Sequence, residues 1–264
     1  MRFLQSYGNR ARRVYLLVAI ALLLGAICPE YAQAKANLVV SAAASLKEAL
    51  LDAEASYSQG HADVGFSNNF GSSGTLAAQI DQGAPVDVFL SASAKQMDDL
   101  TAKSLVVSET RRNLLSNTLV LIAQLDSALK DFQGLTAKSI RTIAFGDPAS
   151  VPAGQYGRQT LQTLHLWDSL DGKLVLAKDV RQVLTYVETG NADAGIVYAT
   201  DAHSSTKVRV VATAPESSHD PILYPVAVIK GSRNEDAARA FVKYLSSSSA
   251  LSIFRKHGFM LAPQ

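Results

Sequence analysis

Short runs of aliphatic and β-branched residues alternate with helical patterns along most of the chain, and this alternation limits the fold more than any other feature. Repeated strand, helix, strand order is typical of α/β proteins, so we predict lobes built on mostly parallel sheets flanked by helices. No single shift in composition marks a boundary, which favours lobes joined by more than one crossing of the chain. The predicted strands are Leu38–Ala42, Val64–Asn68, Val86–Ser91, Leu119–Ala123, Ile143–Gly146, Leu174–Ala177, Gly195–Tyr198, Val208–Val211 and Tyr224–Ile229. The predicted helices are Leu46–Tyr57, Thr75–Gln82, Lys95–Ala102, Gln155–Leu166, Arg181–Thr189 and Glu235–Ser246, the last with Asn234 as its N-cap.

The first 34 residues have the order of a secretory signal peptide. Four arginines within residues 2–13 precede an apolar run of fourteen residues, Val14–Ile27, and Ala32-Gln33-Ala34 offers a small-x-small cleavage site. The apolar run is shorter than the roughly 20 residues that a spanning helix needs. A lipoprotein anchored at Cys28 is the alternative, but Ile27 is a poor residue before a lipidated cysteine. We therefore predict export to the periplasm and cleavage after Ala34.

Removal of this segment changes the charge and the cysteine content. The chain holds 25 basic and 23 acidic side chains, of which four and one lie in residues 1–34, so 21 and 22 remain and the net charge is −1. This near-neutral balance gives no electrostatic support for nucleic-acid binding. Cys28 is the only cysteine, so the mature chain can form neither a disulfide nor a thiolate metal site.

The familiar catalytic motifs do not occur. The five histidines are scattered, without an H-E-x-x-H pair. Gly71-Ser72-Ser73-Gly74 lacks the spacing of a G-x-S-x-G nucleophile elbow, and Ser45 is followed three residues later by Glu48 rather than lysine. We expect a protein that is not an enzyme, although a secreted hydrolase using Ser45 or Ser73 stays as an alternative.

Small hydrogen-bonding residues gather instead where predicted strands end and helices begin. In open α/β sheets ligands bind at this edge, and a helix N-terminus offers free N–H groups and a partial positive charge that suit an anion. The segments concerned are Ala42-Ala43-Ala44-Ser45, Phe70-Gly71-Ser72-Ser73-Gly74-Thr75, Val151-Pro152-Ala153-Gly154, Lys178-Asp179-Val180 and Ile196-Val197-Tyr198.

Each segment also has a purely structural interpretation. Ser45 and Glu48 form the sequence of a capping box, which is the favoured interpretation of Ser45 when it is taken alone. The other structural roles are tight turns at Gly71 and Gly74, a turn at Asp147, an N-cap at Asp179, a helix start at Pro152 and a half-buried strand position at Tyr198. The coincidence of several such segments at one edge is what favours a binding site.

Taken together, these segments resemble the periplasmic molybdate-binding proteins of ABC importers over essentially the whole mature length. The motifs that carry the resemblance are Ala42-Ala43-Ala44-Ser45-Leu46, Phe70-Gly71-Ser72-Ser73-Gly74-Thr75-Leu76, Gly83-Ala84-Pro85-Val86-Asp87-Val88-Phe89, Gly146-Asp147-Pro148, Val151-Pro152-Ala153-Gly154, Glu188 with Gly195-Ile196-Val197-Tyr198, Tyr224-Pro225-Val226-Ala227-Val228 and Gly258-Phe259. Any one of them alone would be unspecific.

The resemblance implies a set of binding residues. The hydroxyls of Ser45, Ser73 and Tyr198 and the backbone N–H groups of Ser45, Ser73, Ala153 and Val180 would hold molybdate or tungstate, without a cationic side chain and without any cofactor. Some relatives have serine or threonine where Gly74 stands. This leaves open whether the hydroxyl comes from Ser72 or Ser73, and we favour Ser73.

The resemblance also implies a two-lobed type II periplasmic binding protein fold with the ligand cleft between the lobes. Residues 35–117 and 225–264 would form lobe one and residues 118–224 lobe two, with the two crossings as a hinge. The expected partners are the membrane permease subunits of an ABC importer, and the expected state is a monomer.

The chemistry of the predicted shell suits a fully deprotonated tetrahedral dianion. Such a ligand has only acceptors, so a shell made only of donors satisfies it, whereas hydrogen phosphate would also need a carboxylate acceptor. The alternative within the same class is a receptor for sulfate or another tetrahedral oxyanion. A receptor for iron or an amino acid is less favoured, because the motifs contain neither adjacent tyrosines nor an arginine.

Overall fold

Helices and strands alternate through residues 36–263, the part of the chain that the computed structural model describes. The strands are β1 Ala36–Ala43, β2 Val64–Gly71, β3 Val88–Leu90, β4 Arg112–Ser116, β5 Leu119–Gln124, β6 Ile143–Gly146, β7 Leu174–Ala177, β8 Ala194–Tyr198, β9 Val208–Thr213, β10 Leu223–Val228 and β11 Met260–Leu261. The helices are α1 Lys47–Ser58, α2 Ser73–Asp81, α3 Ala94–Ala102, α4 Pro152–Thr163, α5 Val180–Glu188, α6 Ala199–His203, α7 Glu235–Leu245 and α8 Ser248–Lys256. The predicted signal peptide lies outside the described residues and stays a prediction.

The strands form two sheets, one in each lobe, and both sheets are mixed. The first has the order β11-β4-β10-β3-β1-β2, and the second has the order β7-β6-β8-β5-β9. In the first sheet β1 runs parallel to β2 and β3, while β10 pairs antiparallel with both β3 and β4. In the second sheet β6 runs parallel to β7 and β8, while β5 pairs antiparallel with β8 and β9. Parallel pairing is therefore confined to the βαβ units, and the mostly parallel sheets that the sequence suggested are not found.

Strands β4, β5, β9 and β10, which all have antiparallel partners, are those next to the crossings between the sheets. The chain leaves the first sheet at the end of β4 and joins the second at the start of β5, with only Asn117 and Thr118 between them. It returns from β9 to β10 through residues 214–222, which include a short 3₁₀ turn, Glu216–Ser218. The hydroxyl of Ser218 lies 3.1 Å from that of Thr160 in α4, which holds this turn against the second sheet's helices.

Amphipathic helices bury the faces of both sheets. In α5 the buried residues Val180, Val183, Leu184 and Val187 follow the i, i+3, i+4, i+7 spacing of a single helix face. In α7 the residues Ala238, Phe241, Val242 and Leu245 repeat this spacing. Full burial of one valine or leucine side chain contributes about 1.5–3 kcal/mol, so each face stabilises its lobe by several kcal/mol before the entropy cost of folding.

Most predicted elements are present, and two have the predicted bounds. Strands β6 and β7 begin and end where the sequence pattern placed them. The short strands β4 and β11 and the five-residue helix α6 were not predicted, because their apolar patterns are too short to recognise. Helix α8, Ser248–Lys256, was also given no predicted bounds. Asn234 is at the N-cap position of α7, but its side chain makes no capping bond and donates instead to the carbonyl of Asn37.

Within residues 36–263, none of the helices has both the length and the apolar composition needed to cross a membrane.

Candidate functional site

A small cavity lies between the two lobes, where strand ends and helix starts from both sheets meet. It encloses about 210 Å³ of space, part of it open to solvent. Only about 10 Å³ of this space admits the centre of a water-sized sphere. Sites for drug-sized ligands span roughly 300–1,000 Å³, so this cavity favours a ligand of only a few atoms. Its lining residues are Ala43, Ala44, Ser45, Gly71, Ser72, Ser73, Ala92, Val151, Pro152, Ala153, Val180 and Tyr198.

The cavity brings together all five residues that the sequence singled out. Ser45 and Ser73 come from the first lobe, while Ala153, Val180 and Tyr198 come from the second. All five are buried. A larger surface hollow of about 1030 Å³ lies along residues 124–140 and includes none of the five.

Backbone geometry places free N–H groups at the cavity. Ser73 and Val180 are the first residues of α2 and α5, and Ala153 is the second residue of α4. The first turn of a helix has no intrahelical partner for its N–H groups, and the helix dipole gives this end a partial positive charge. Three helices from the two lobes therefore direct donors and positive potential at one point.

The two adjacent serines have different tasks. Ser72 is the N-cap of α2: its Oγ accepts from the Thr75 backbone N–H at 3.2 Å and donates to the Thr75 hydroxyl at 2.8 Å. The Ser73 hydroxyl accepts a hydrogen bond from the backbone N–H of Ala92 at 2.8 Å, and its own hydrogen stays available as a donor. These contacts favour Ser73 over Ser72 as the residue that faces a ligand.

The capping-box interpretation of Ser45 and Glu48 is wrong. Ser45 lies in a 3₁₀ turn, Ala44–Leu46, and the following helix α1 has no side-chain cap. The Ser45 Oγ is 3.1 Å from the Tyr224 Oη, and the Glu48 carboxylate is 2.8 Å from the Arg181 guanidinium in the other lobe. Because the 3₁₀ turn precedes α1, the N-cap position of that helix is Leu46 and not Ser45.

Tyr198 ends β8 and is only 1% exposed, not half-buried as its strand position suggested. Its hydroxyl is 3.5 Å from the carbonyl oxygen of Ala92, a long contact that leaves it able to donate elsewhere. Burial, and then the neighbouring Tyr224 phenol, raise the pKa of Tyr198 well above its ordinary value. The phenol therefore keeps its proton and remains a donor.

The three structural roles predicted near the second-lobe helices are confirmed. The Asp179 carboxylate caps α5 by accepting from the Gln182 N–H at 2.9 Å, and Pro152 opens α4. The Asp147 carboxylate accepts from the Ala149 N–H at 2.9 Å, as expected of a turn residue. These acidic groups are satisfied by backbone donors.

Charged residues stand beside the cavity and neutralise one another. Arg181, next to Val180, lies 2.8 Å from Glu48 of lobe one and 3.4 Å from Asp201 of lobe two. Asp201 is fully buried, and burial raises the pKa of its carboxyl to about 7 while Arg181 opposes the rise. The cavity itself is lined by serine, tyrosine and small apolar side chains, so positive potential there comes from helix N-termini.

The lobes touch across the cleft at Gly74. Its backbone N–H donates to the Ser150 carbonyl of the other lobe at 3.0 Å. A Cβ at position 74 would lie 2.4 Å from that oxygen, so no larger residue fits in this arrangement. Gly74 is thus required by a close approach between lobes rather than by the tight turn that the sequence suggested.

Three residues at or behind the cavity were not identified from the sequence. Tyr224 and Asn117 contact the Ser45 side of the site, and Ala92 contacts Ser73. Tyr224 belongs to a motif that carried the resemblance, but nothing in its spacing indicated the contact with Ser45. Among the described residues, no group of three or more histidine, cysteine, aspartate or glutamate side chains is arranged to hold a metal ion.

A family model described as bacterial extracellular solute-binding protein matches residues 38–260. The chain belongs to this family. Its relatives are solute-binding proteins, and their periplasmic or extracellular location supports export of this one. The two-lobed α/β fold predicted from the sequence is confirmed.

Individual relatives agree with this assignment. The molybdate-binding protein ModA of Haemophilus influenzae is 41% identical over 247 residues, which cover 92% of this chain and 96% of that protein. ModA of Escherichia coli is 41% identical over 258 residues, 95% of this chain and 99% of that protein. The solved structure of the periplasmic molybdate-binding protein of Azotobacter vinelandii has a TM-score of 0.77 at 26% identity and covers 86% of this chain and 100% of its own. The resemblance to this group of solute-binding proteins is thereby confirmed.

Proposed function

We propose that this solute-binding protein binds molybdate, and tungstate with it, outside the cytoplasm and delivers it to the permease subunits of an ABC importer. The observation that carries the proposal is the cavity between the lobes, which is walled by uncharged donors at helix starts. The relatives named as molybdate-binding proteins cover more than nine tenths of the chain. The protein itself would carry out no reaction.

In this proposal, five residues hold the oxyanion. The hydroxyls of Ser45, Ser73 and Tyr198 donate to it, together with the backbone N–H groups of Ser45, Ser73, Ala153 and Val180. The geometry supports these roles because all five residues line one cavity and three of the N–H groups belong to the first turns of helices. The ligand would touch both lobes and so favour the closed arrangement.

A donor-only shell can bind a dianion tightly without a salt bridge. A hydrogen bond to a charged group contributes roughly 1.5–3 kcal/mol, and seven donors are available, so even after the cost of association a sub-micromolar Kd is within reach. Sulfate is an acceptor-only dianion as well, so it is the main alternative ligand, and cavity size would separate the two.

The second alternative, a serine hydrolase, is disfavoured by the partners of both serines. The Ser45 hydroxyl faces a phenol, and the Ser73 hydroxyl accepts from a backbone N–H. A nucleophilic serine needs a general base within hydrogen-bond reach, and neither a protonated phenol nor an N–H can act as one.

The export proposal extends to processing and lobe bounds. We propose that the mature protein begins at Lys35, is a monomer, and divides into lobe one (35–117 with 225–264) and lobe two (118–224). N-terminal sequencing of the exported protein tests the cleavage site, since a start other than Lys35, or a lipid on Cys28, contradicts it. Gel filtration with light scattering tests the monomer.

The decisive experiment is a thermal-shift and calorimetric screen of the mature protein against molybdate, tungstate, sulfate and phosphate. A ligand that binds only the native state at one hundred times its Kd adds about 2.7 kcal/mol to stability. We expect molybdate and tungstate to raise the melting temperature at micromolar concentration, sulfate to do so only at far higher concentration, and phosphate to have the least effect. Equal or tighter binding of sulfate would reassign the ligand.

A further inference from the structure

A chain of buried hydrogen bonds runs from the Ser45 hydroxyl away from the cavity. The Ser45 Oγ lies 3.1 Å from the Tyr224 Oη, and the Asn117 Nδ2 lies 3.2 Å from the same phenol oxygen. The second hydrogen of this amide nitrogen is directed to the Thr200 Oγ1, at 2.8 Å. All four side chains are buried, with Tyr224 only 2% exposed, so these hydrogen bonds do not compete with bulk water.

The direction of each hydrogen bond in this chain follows from the amide of Asn117. Its Oδ1 accepts from the Thr118 backbone N–H at 2.9 Å, so its nitrogen is the atom that faces Tyr224 and Thr200. An amide nitrogen only donates, which makes the Tyr224 oxygen an acceptor on that side. We assign the phenol's own hydrogen to Ser45, whose Oγ lies 3.1 Å away and can accept it. Burial raises the pKa of Tyr224 well above its ordinary value, so this hydrogen is present throughout the useful pH range.

Ser45 therefore accepts from Tyr224 and turns its own hydrogen elsewhere. The other serine is arranged in the same sense, because the Ser73 oxygen accepts from the Ala92 N–H at 2.8 Å. With one acceptor side of each oxygen occupied, both hydroxyls turn their hydrogens to the cavity. An oxyanion that carries a proton would set its O–H against these hydrogens, and an unpaired buried polar group is costly.

We propose that Tyr224, oriented by Asn117, is a positioning residue that directs the Ser45 hydrogen to the ligand and so selects proton-free oxyanions over protonated ones. The inference rests on the proposed function, since it assumes that Ser45 faces an oxyanion. It assigns part of the discrimination between oxyanions to a residue that does not touch the ligand.

The test is Tyr224→Phe, measured by calorimetry with molybdate, sulfate and inorganic phosphate at pH 8, where phosphate is hydrogen phosphate. The ring remains to pack against Tyr198 and Phe259, at centroid distances of 5.8 and 5.3 Å, so the fold should persist. We expect molybdate and sulfate to bind about three- to tenfold more weakly, because Ser45 loses the partner that orients it, while phosphate holds or gains affinity. The molybdate-to-phosphate ratio should fall by about tenfold and the molybdate-to-sulfate ratio should stay constant.

A matched control and a double-mutant cycle separate positioning from general damage. Tyr244→Phe removes another phenol, one with no hydrogen-bond partner among the described residues, and should leave all three affinities unchanged. The double variant that carries both Ser45→Ala and Tyr224→Phe should bind molybdate no more weakly than Ser45→Ala alone, because Tyr224 acts through Ser45. Asn117→Ala removes the donor that orients Tyr224 and should shift the ratios in the same direction, which provides a second route should Tyr224→Phe fold poorly.

The outcomes distinguish this inference from the proposed function. If Ser45→Ala weakens molybdate binding but Tyr224→Phe leaves the molybdate-to-phosphate ratio unchanged, or the two changes are additive, the positioning role is overturned and the proposed function stands. If the parent binds sulfate rather than molybdate, the proposed ligand fails, and the same ratio, measured for sulfate against phosphate, still decides the role of Tyr224. If Ser45→Ala weakens no oxyanion, both fail.

Discussion

Ser72 and Ser73 are neighbours in the chain, yet their hydroxyls belong to different systems. The Ser72 oxygen caps α2, and the Ser73 oxygen accepts from Ala92 inside the cleft. The difference arises because Ser72 has extended backbone angles while Ser73 is the first helical residue, so the two side chains point in different directions. Function at this site therefore depends on single-residue placement.

This difference gives a matched pair of variants. Ser73→Ala should weaken molybdate binding about ten- to a hundredfold, since one hydrogen bond to a charged ligand contributes roughly 1.5–3 kcal/mol. Ser72→Ala should instead lower the free energy of unfolding by about 1 kcal/mol through its lost cap and change affinity far less. Calorimetry and chemical denaturation of both variants check this. The reverse pattern would assign the ligand hydroxyl to Ser72.

At the scale of elements, the start of α2 and the loop before α4 meet across the cleft. The Gly74 N–H bonds to the Ser150 carbonyl, and a Cβ on residue 74 would collide with that oxygen. The two residues belong to different lobes, so opening of the cleft would break this contact. Steric demands at position 74 should accordingly act on closure rather than on folding.

Gly74→Ala should therefore oppose closure. Overpacking costs about 1–3 kcal/mol, which corresponds to roughly five- to a hundred-and-fiftyfold weaker molybdate binding. The open protein should keep or slightly raise its melting temperature, because alanine favours the helix. Small-angle scattering should also show less compaction on adding molybdate. Gly60→Ala, where a Cβ meets nothing within 4 Å, is the control and should match the parent. Full affinity and compaction in Gly74→Ala would show that the cleft relaxes around the methyl group.

At the scale of the whole molecule, a buried carboxyl links stability to pH. Glu54 in α1 is 5% exposed, and its Oε2 accepts from the Asn68 Nδ2 at 2.8 Å while its Oε1 has no partner among the described residues. Burial raises the pKa of Glu54 from 4.5 to about 7, against a smaller lowering by Asn68. The native state therefore binds this proton more tightly than the unfolded chain does. Its contribution is present below pH 4.5 and is lost as the pH rises through 7.

The corresponding variant is Glu54→Gln, which stays neutral at every pH. The free energy of unfolding of Glu54→Gln minus that of the parent should increase by about 1–2 kcal/mol from pH 5 to pH 8. This range is smaller than the full pKa shift implies, because residual solvent contact weakens the effect. Urea denaturation at a series of pH values measures this difference. The exposed Glu216→Gln is the control and should run parallel to the parent. Parallel curves for Glu54→Gln as well would mean that the carboxyl is ionised in the native protein at pH 5.

Several features followed from local sequence alone. The alternation of apolar runs determined the α/β class, and helix periodicity located α5 and α7, because an amphipathic face repeats every 3.6 residues whatever it packs against. Donor-rich segments at strand ends indicated the residues that now line the cavity. Asp179 and Pro152 were identified as the start-of-helix residues they are, since capping is decided within one turn of chain.

Other features depend on residues far apart in the sequence. Ser45 was misinterpreted as a cap because its actual partner, Tyr224, stands 179 residues later, and Glu48 finds Arg181 only when the lobes meet. The mixed sheets arise in the same way, since a strand's direction beside its neighbour is set by where the chain crosses between lobes. The local sequence pattern determined which groups could donate to a ligand. Only the tertiary structure decided where the hydrogens of those groups point, because the direction of a hydrogen bond depends on partners that folding brings next to each other.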